Sequence, residues 1–284
     1  MMHRLFFALL VLSLPALSVS AQDYGGSFGN TTEVAVPFDG DPSLGQGNRV
    51  AVFARGPVTE EIEAFARIRY EYRLDTRFAD GGDTTVDWWQ GDLDALYLRG
   101  RFRTPTVAGA ALTDAQFGRF VLREFSGALL RERLDGFRVT YQTPLADLTF
   151  GGGYTGLLMK ESSNLLLSQA DASDDADEDV YLAPPRLLGL MAFGFPNVLP
   201  DHTMDLAFLL QYDARDADDL PAGQGLVHTG YIGGGFSGPL APTLFYDAYG
   251  YFGVGSVPTD DNGSLTTRSL RSYLVGVNFQ YFLP

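Results

Sequence analysis

From residue 60 to 75 the chain reads EEIEAFARIRYEYRLD, and the stretch alternates along its length. Ile62, Ala64, Ala66, Ile68, Tyr70, Tyr72 and Leu74 take the even positions, with Glu61, Glu63, Arg67, Arg69, Glu71, Arg73 and Asp75 between them. A period of two belongs to a β-strand, whose successive side chains point to opposite faces; a helix would scatter these residues around its circumference. One such strand fits a soluble sheet with its apolar face on a core and its charged face in water. The rest of the chain decides whether the apolar face meets a core or lipid.

The alternation recurs. In DLTFGGGYTG, Leu148, Phe150 and Tyr154 alternate with Thr149, Gly151, Gly153 and Thr155, and in MDLAFLLQYD, Met204, Leu206, Phe208, Leu210 and Tyr212 alternate with Asp205, Ala207, Leu209, Gln211 and Asp213. FRVTYQ and YLVGVNFQYF behave alike. Strands are expected near 31–38, 48–56, 61–75, 92–104, 114–123, 135–142, 147–157, 186–195, 202–213, 225–236, 242–255 and 268–282. The links between them alternate long and short: GPVT, TPLAD, PNVLPD and SGPLA are brief, whereas 76–91, 158–185 and 256–267 are long. This is the rhythm of an all-β fold, a closed antiparallel transmembrane β-barrel of about 12 strands with brief periplasmic turns and longer outer loops. Ten or fourteen strands remain open. Aromatic residues at Tyr72, Trp88 and Trp89, and at Tyr281 and Phe282, suit the two interfacial girdles of such a barrel.

The chain begins MMHRLFFALLVLSLPALSVSAQD, with basic Arg4, an apolar run from Leu5, and Val19 and Ala21 before a cleavage site. Residues 1–21 therefore read as a secretory signal peptide and 22–284 as one barrel domain. No later stretch has the roughly twenty apolar residues of a spanning helix. Cysteine is absent, which removes disulfides and thiolate metal sites. Without the signal segment 19 basic residues face 35 acidic ones, a balance that argues against a nucleic-acid partner.

Arginine is distributed unevenly. Thirteen lie between Arg55 and Arg138, and only Arg186 and Arg215 follow before residue 267. Nine are expected on the inward face as a contiguous basic wall: Arg67, Arg69 and Arg73, then Arg99, Arg101 and Arg103, then Arg119 and Arg123, then Arg138. Guanidinium groups stay charged and bind carboxylates or phosphates in a bidentate fork, so the wall reads as a track for small anions. The competing reading is a brace neutralised by Glu61, Glu63, Glu71, Asp75, Asp92 and Asp94. Acids cluster later, in DASDDADED at 171–179 and DARDADD at 213–219. They read as solvated outer loops, or as a loop folded into the lumen opposite the arginines; the spacing lacks the Gly and terminal Glu of an EF-hand loop. Catalysis is not expected. His202 and His228 have no Ser and carboxylate at recognisable spacing, the residues of an outer-membrane phospholipase are not found, and GGGYTG lacks the Lys of a phosphate loop. Its inward glycines are expected to widen the passage. No cofactor or metal is implied.

Two stretches carry resemblances. FGRFVLREFSGALLRERLDGFRVTY, residues 117–141, resembles bacterial outer-membrane channels of the alginate-export type, in its Gly-Arg strand end, irregular loop and return through Asp-Gly. The arginine ladder is similar to channels for acidic oligosaccharides. SYLVGVNFQYFLP resembles the terminal strand that barrel-insertion machinery reads, although Leu283 and Pro284 follow the aromatic pair. These resemblances imply a porin-like channel of the bacterial outer membrane, embedded in its lipid, for small anionic solutes or acidic sugars, with the inward arginines as the matching positions. The alternative is a non-conducting surface barrel that meets partners through long acidic loops.

Overall fold

Alternation in the sequence becomes an antiparallel meander in the computed structural model, which describes residues 23–35, 42–77, 84–106, 109–177, 179–220, 224–261 and 264–283. Twelve strands follow in chain order: β1 (Asp23–Ala35), β2 (Ser43–Pro57), β3 (Ile62–Arg77), β4 (Thr84–Thr106), β5 (Gly109–Arg123) and β6 (Arg131–Gln142). β7 (Asp147–Tyr154), β8 (Arg186–Leu199), β9 (His202–Asp213), β10 (His228–Ala241), β11 (Leu244–Asp261) and β12 (Ser264–Tyr281) complete the series. Their order in the sheet is their order in the chain. No ladder joins β1 to β12 among the described residues. The signal segment lies outside the described residues, as do the side chains of Trp88 and Trp89.

Most strands lie where the alternation predicts them. β1 is the clearest departure, at 23–35 instead of 31–38. Its sequence DYGGSFGNTTEVA has little hydrophobic periodicity, and its position follows from the ladder with β2, in which Asp23 faces Arg55 and Ala35 faces Ser43. β4 begins eight residues before the expected 92, while β7 stops at Tyr154. At Tyr154 the chain turns into a link in which the Thr155 amide still donates to Arg186 O.

The chain divides into two compact units at Leu93 and Asp94. In the first, β2 and β3 pair Val50 with Tyr70 and Val52 with Ile68 on one face, and Ala51 with Arg69 and Phe53 with Arg67 on the other. Val50, Val52 and Tyr70 are exposed and Ala51 is buried. Thus the apolar face of the opening stretch is open at Tyr70 and half-buried elsewhere, beside the exposed valines of β2. Phe53 stacks on Phe65 at 6.0 Å on the opposite face.

The second unit divides its faces in the same way. Phe117, Phe137, Phe208, Leu210, Phe252 and Val254 are exposed, while the alternate positions Phe120, Leu122, Leu134, Leu188, Leu190, Leu209 and Tyr251 form a buried cluster. Strand register places the cluster on one concerted face: Gly151 faces Leu190, Leu190 faces Leu209, and Leu209 faces Tyr231. Glycines supply the space. A Cβ on Gly151 would stand 2.9 Å from Leu122 Cδ1, one on Gly153 2.6 Å from Leu134 Cδ1, and one on Gly235 2.5 Å from Phe125 Cε2. The GGG run therefore does not widen a passage; its missing side chains are replaced by leucines from β5 and β6.

The link 155–185 has structure of its own. A 3-10 turn at Lys160–Ser162 precedes α1 (Gln169–Ala176), which opens with a capping box: Asp171 N donates to Ser168 Oγ, and Ser168 N donates to the Asp171 side chain.

Packing of Leu122 into the space above Gly151 predicts a coupled pair. Gly151→Ala should destabilise the fold by about 1–3 kcal/mol through overpacking and Leu122→Ala by about 2–5 kcal/mol through the cavity it leaves. Because the second change vacates the atom that the first collides with, the double variant should lose less than the sum by about 0.5–3 kcal/mol. Urea unfolding of the protein in detergent micelles measures this, and strict additivity would contradict the packing.

Candidate functional site: a basic inner face and a buried ionic cluster

Register decides which arginines share a face. Arg99 stands opposite Gln116, which stands opposite Arg138; Arg101 stands opposite Asp114; Arg103 stands opposite Leu112. These four arginines lie on the face of the buried cluster, since Asp114 and Gln116 alternate with exposed Phe117 and continue to buried Phe120. Arg99 Nε donates to Asp114 Oδ1 and Oδ2 at 3.0 and 2.9 Å, and Arg101 Nε reaches Asp114 Oδ2 at 3.3 Å. One carboxylate thus serves two guanidinium groups. Arg138 packs its guanidinium 5.9 Å from the Phe120 ring, and its Nε is buried without a hydrogen-bond partner.

Arg119 and Arg123 are placed differently from expectation. Arg119 faces Leu96 on one side and Asp135 on the other, on the side of exposed Phe117 and Val121. Its guanidinium pairs with Asp135 at 2.8 Å and donates to Leu157 O at 2.9 Å. Arg123 donates to Ser126 O at 3.0 Å. Leu98 opposite Phe117 fixes the parity of β5, and odd-numbered residues of that strand face away from Asp114. In the first unit, Arg67 and Arg69 share the face of Ala51 and Phe53; Arg69 pairs with Asp92 at 3.4 Å and with Glu71 at 3.7 Å. Arg73 stands opposite Gly47 in the register, and its side chain lies outside the described residues.

Farther along the sheet the same face turns acidic. Asp147 and Asp205 both pair in register with Gly194, and a Cβ on Gly194 would stand 3.2 Å from Asp205 Oδ1 and 3.6 Å from Asp147 Cβ. Asp247 lies on the same side of β11 as buried Tyr251. So the inner face of the second unit carries arginines on β4–β6 and carboxylates on β7, β9 and β11. Among the described residues no group of acids and histidines is arranged to hold a metal ion. His202 has Nδ1 2.7 Å from Pro200 O and stacks on Phe236; His228 Nδ1 accepts from the Asp213 amide at 3.2 Å.

Two features went unseen in the sequence. The first is an ionic cluster around Arg186, which is wholly buried. Arg186 pairs with Asp171 at 2.6 Å and Asp213 at 3.3 Å, and Arg215 pairs with the same two carboxylates at 2.7 and 2.6 Å. Arg186 also donates to Val227 O at 3.1 Å. Asp171 belongs to the run 171–179 expected to be solvated, and here it is fully buried while Asp175 and Asp177 stay exposed. The expected solvated loop is therefore corrected at its first residue, because two guanidinium groups compensate the carboxylate for leaving water. The second feature is Glu124, buried just beyond β5 and holding the loop that follows. Its carboxylate accepts from the Tyr251 hydroxyl, from Ser126 Oγ at 2.8 Å and from Leu129 N at 3.1 Å, while Phe125 stacks on Tyr251 at 5.5 Å.

No family model and no curated protein matches the chain, so the alginate-export resemblance of residues 117–141 stands unsupported. Among solved structures, the chain is similar to a loop-L8 deletion mutant of OmpT, an outer membrane protein of Vibrio cholerae, at 11% identity and TM-score 0.34 over 89% of this chain and 86% of that one. It is similar to Pseudomonas putida OprB at low pH, with 13% identity and TM-score 0.34 over 89% and 92%. In-vitro folded OmpT of Vibrio cholerae aligns at 10% identity and TM-score 0.26 over 93% and 100%. At such scores nothing about substrate or activity passes from them to this chain. An outer-membrane location accords with the exposed apolar face, since monomeric soluble proteins rarely leave so large an apolar surface bare.

The surroundings of Glu124 predict an acid dependence. Burial pushes its carboxyl up, but hydrogen bonds from Tyr251, Ser126 and the Leu129 amide outweigh burial and hold the pKa below the usual 4.5. A depressed folded pKa stabilises the fold above the unfolded value and loses that contribution as pH falls through the folded one. Wild type should therefore be more stable than Glu124→Gln at pH 7, and the gap should narrow as pH is lowered below about 4.5. Unfolding midpoints of both proteins across that range test it; a gap independent of pH would refute the assignment.

Proposed function

We propose that the twelve strands close into a barrel in the bacterial outer membrane and that the barrel is a narrow channel for small anionic solutes or acidic sugars. Closure follows from the solvent: an unpaired strand edge in hydrocarbon leaves backbone groups unsatisfied at several kcal/mol each, so β1 and β12 must find each other there. Twelve strands lie between the eight that side chains fill and the sixteen that leave a wide bore. β12, with Tyr273, Val275, Val277, Phe279 and Tyr281 exposed along one face, is the segment offered to the insertion machinery. The reading assigns no catalysis.

The observation that carries the anion preference is the sharing of Asp114 between Arg99 and Arg101, with Arg103 and Arg138 on the same face. Arg101, about half exposed, keeps its guanidinium open to the aqueous side while Asp114 holds it in place. Arg67 and Arg69 belong to the first unit and are not counted in this group. Arg119 and Arg123 drop out, because their strand presents them on the other side.

A second reading is favoured by the packing of Leu122, Leu134, Leu188 and Tyr251, which fills part of the interior of the second unit. On that reading the barrel does not conduct and its exposed acidic loop residues meet a partner. A planar bilayer separates the two. Under a salt gradient the wild-type channel should show an anion-selective reversal potential, and Arg99→Gln/Arg101→Gln/Arg103→Gln should move it toward cation selectivity. An unchanged potential rejects the basic track, and a silent bilayer favours the second reading.

A further inference from the structure

We infer that the link 155–185 is a stopper folded onto the inner wall of the second unit and latched there by Asp171. The inference rests on the channel reading and adds its regulation. Three independent sets of contacts point to it. The first is apolar: Leu158, Ala170 and Ala183 of the link are buried, and Leu165 packs against the cluster that Leu122, Leu134 and Leu188 build on the inward face. A loop standing free above a barrel would leave these residues in water.

The second set ties the backbone of the link to inward strand positions. Asn164 N donates to Glu132 Oε2 at 3.1 Å, and Glu132 alternates on β6 with Arg131 and Arg133 as Leu134 does. The third is ionic. Asp171, in the first turn of α1, is clasped by Arg186 from β8 and by Arg215 from the link after β9, while Asp213 at the end of β9 holds both arginines in place. Asp174, one turn on in α1, adds a third carboxylate at 3.3 Å from Arg215, so two arginines are held by three acids, two of them from the link. Release of the link would take away Asp171 and Asp174 together and leave the two guanidinium groups with Asp213, and a buried pair broken on one side is strongly destabilised. Asp171 is the one of these link residues that is fully buried and reaches both arginines, whereas Asp174 and Ser168 touch Arg215 only, and it is therefore the latch.

The chain supplies its own reporter. Lys160 is its only lysine, and Nζ donates to Asp175 O at 2.9 Å and Asp177 O at 2.6 Å, tying the turn to the end of α1. A lysine-specific endoprotease can cut the folded protein only there. Digestion of the full-length protein in liposomes should be slow, and Asp171→Asn should raise the cutting rate by about tenfold or more, since proteolysis follows the population of the opened form. In planar bilayers Asp171→Asn should conduct more than wild type, and a variant with residues 163–181 replaced by a short Gly/Ser linker should conduct most, all with the same reversal potential. The linker variant keeps the test decisive if Asp171→Asn does not fold. Equal conductance of wild type and linker variant would overturn the stopper and leave the channel standing. Unchanged cutting of Asp171→Asn would overturn the latch. Silence of all three proteins would overturn the channel, and the stopper with it.

Discussion

Every other feature depends on the pairing of backbone amides and carbonyls along the strands. In hydrocarbon no water is present to satisfy them, and a sheet meets that demand only through its neighbours. The meander does this with the least chain: each strand pairs antiparallel with the next, from Asp23 opposite Arg55 to Asp261 opposite Ser264. Once the ladders are fixed, the period of two sorts side chains without further instruction. Val50 and Tyr70 are exposed together on one face because they are register partners, and Ala51 and Arg69 share the other face for the same reason.

That sorting leaves one face of the second unit to be filled by its own side chains. They fill it by complementarity of size. Large residues on one strand lie over glycines on the next, as Tyr251 does over Gly233 and Tyr249 over Gly276, where an added Cβ would meet ring atoms at 2.0 and 2.2 Å. Such ring-over-glycine pairs give a sheet both twist and a filled surface. Polar residues that remain find each other across strands, as Thr140 and Thr149 do at 3.0 Å and Thr229 and Gln211 at 2.9 Å.

Strands, their number and the sidedness of most residues were legible in the sequence because period two is a local signal. β9 is the clearest case: MDLAFLLQYD predicts Ala207, Leu209, Gln211 and Asp213 on one side, and these are the buried ones. Arg119 and Arg123 show where local signal fails. Their strand, AALTDAQFGRFVLR, carries apolar residues on both faces, with Phe117 and Val121 on one and Phe120 and Leu122 on the other, so only register with Leu96 and Leu98 settles the parity. The ionic cluster was illegible for a different reason. Asp171, Arg186, Asp213 and Arg215 are spread over 45 residues and meet only because β7, β8 and β9 bring their ends together. Nothing in DASDDADED distinguishes Asp171 from the exposed acids after it except Ser168, whose spacing is that of a capping box.

The arginines consequently fall into two kinds, and magnitude separates them. Exposed pairs such as Arg55 with Glu63 at 4.0 Å contribute from nothing to about 1 kcal/mol. Their loss would scarcely affect the fold, and their charge remains available to solvent. A buried pair behaves in the opposite way: deleting one partner strands the other, at about 3–5 kcal/mol. Arg186, fully buried between Asp171 and Asp213, is of this second kind, and its charge is spent on holding the chain together. Arg101 is about half exposed, and it shares Asp114 with Arg99. A guanidinium that is anchored by half a carboxylate and still open to water is positioned without being neutralised. The half-open arginines thus lie on β4–β6, and the most tightly bound ones at the link.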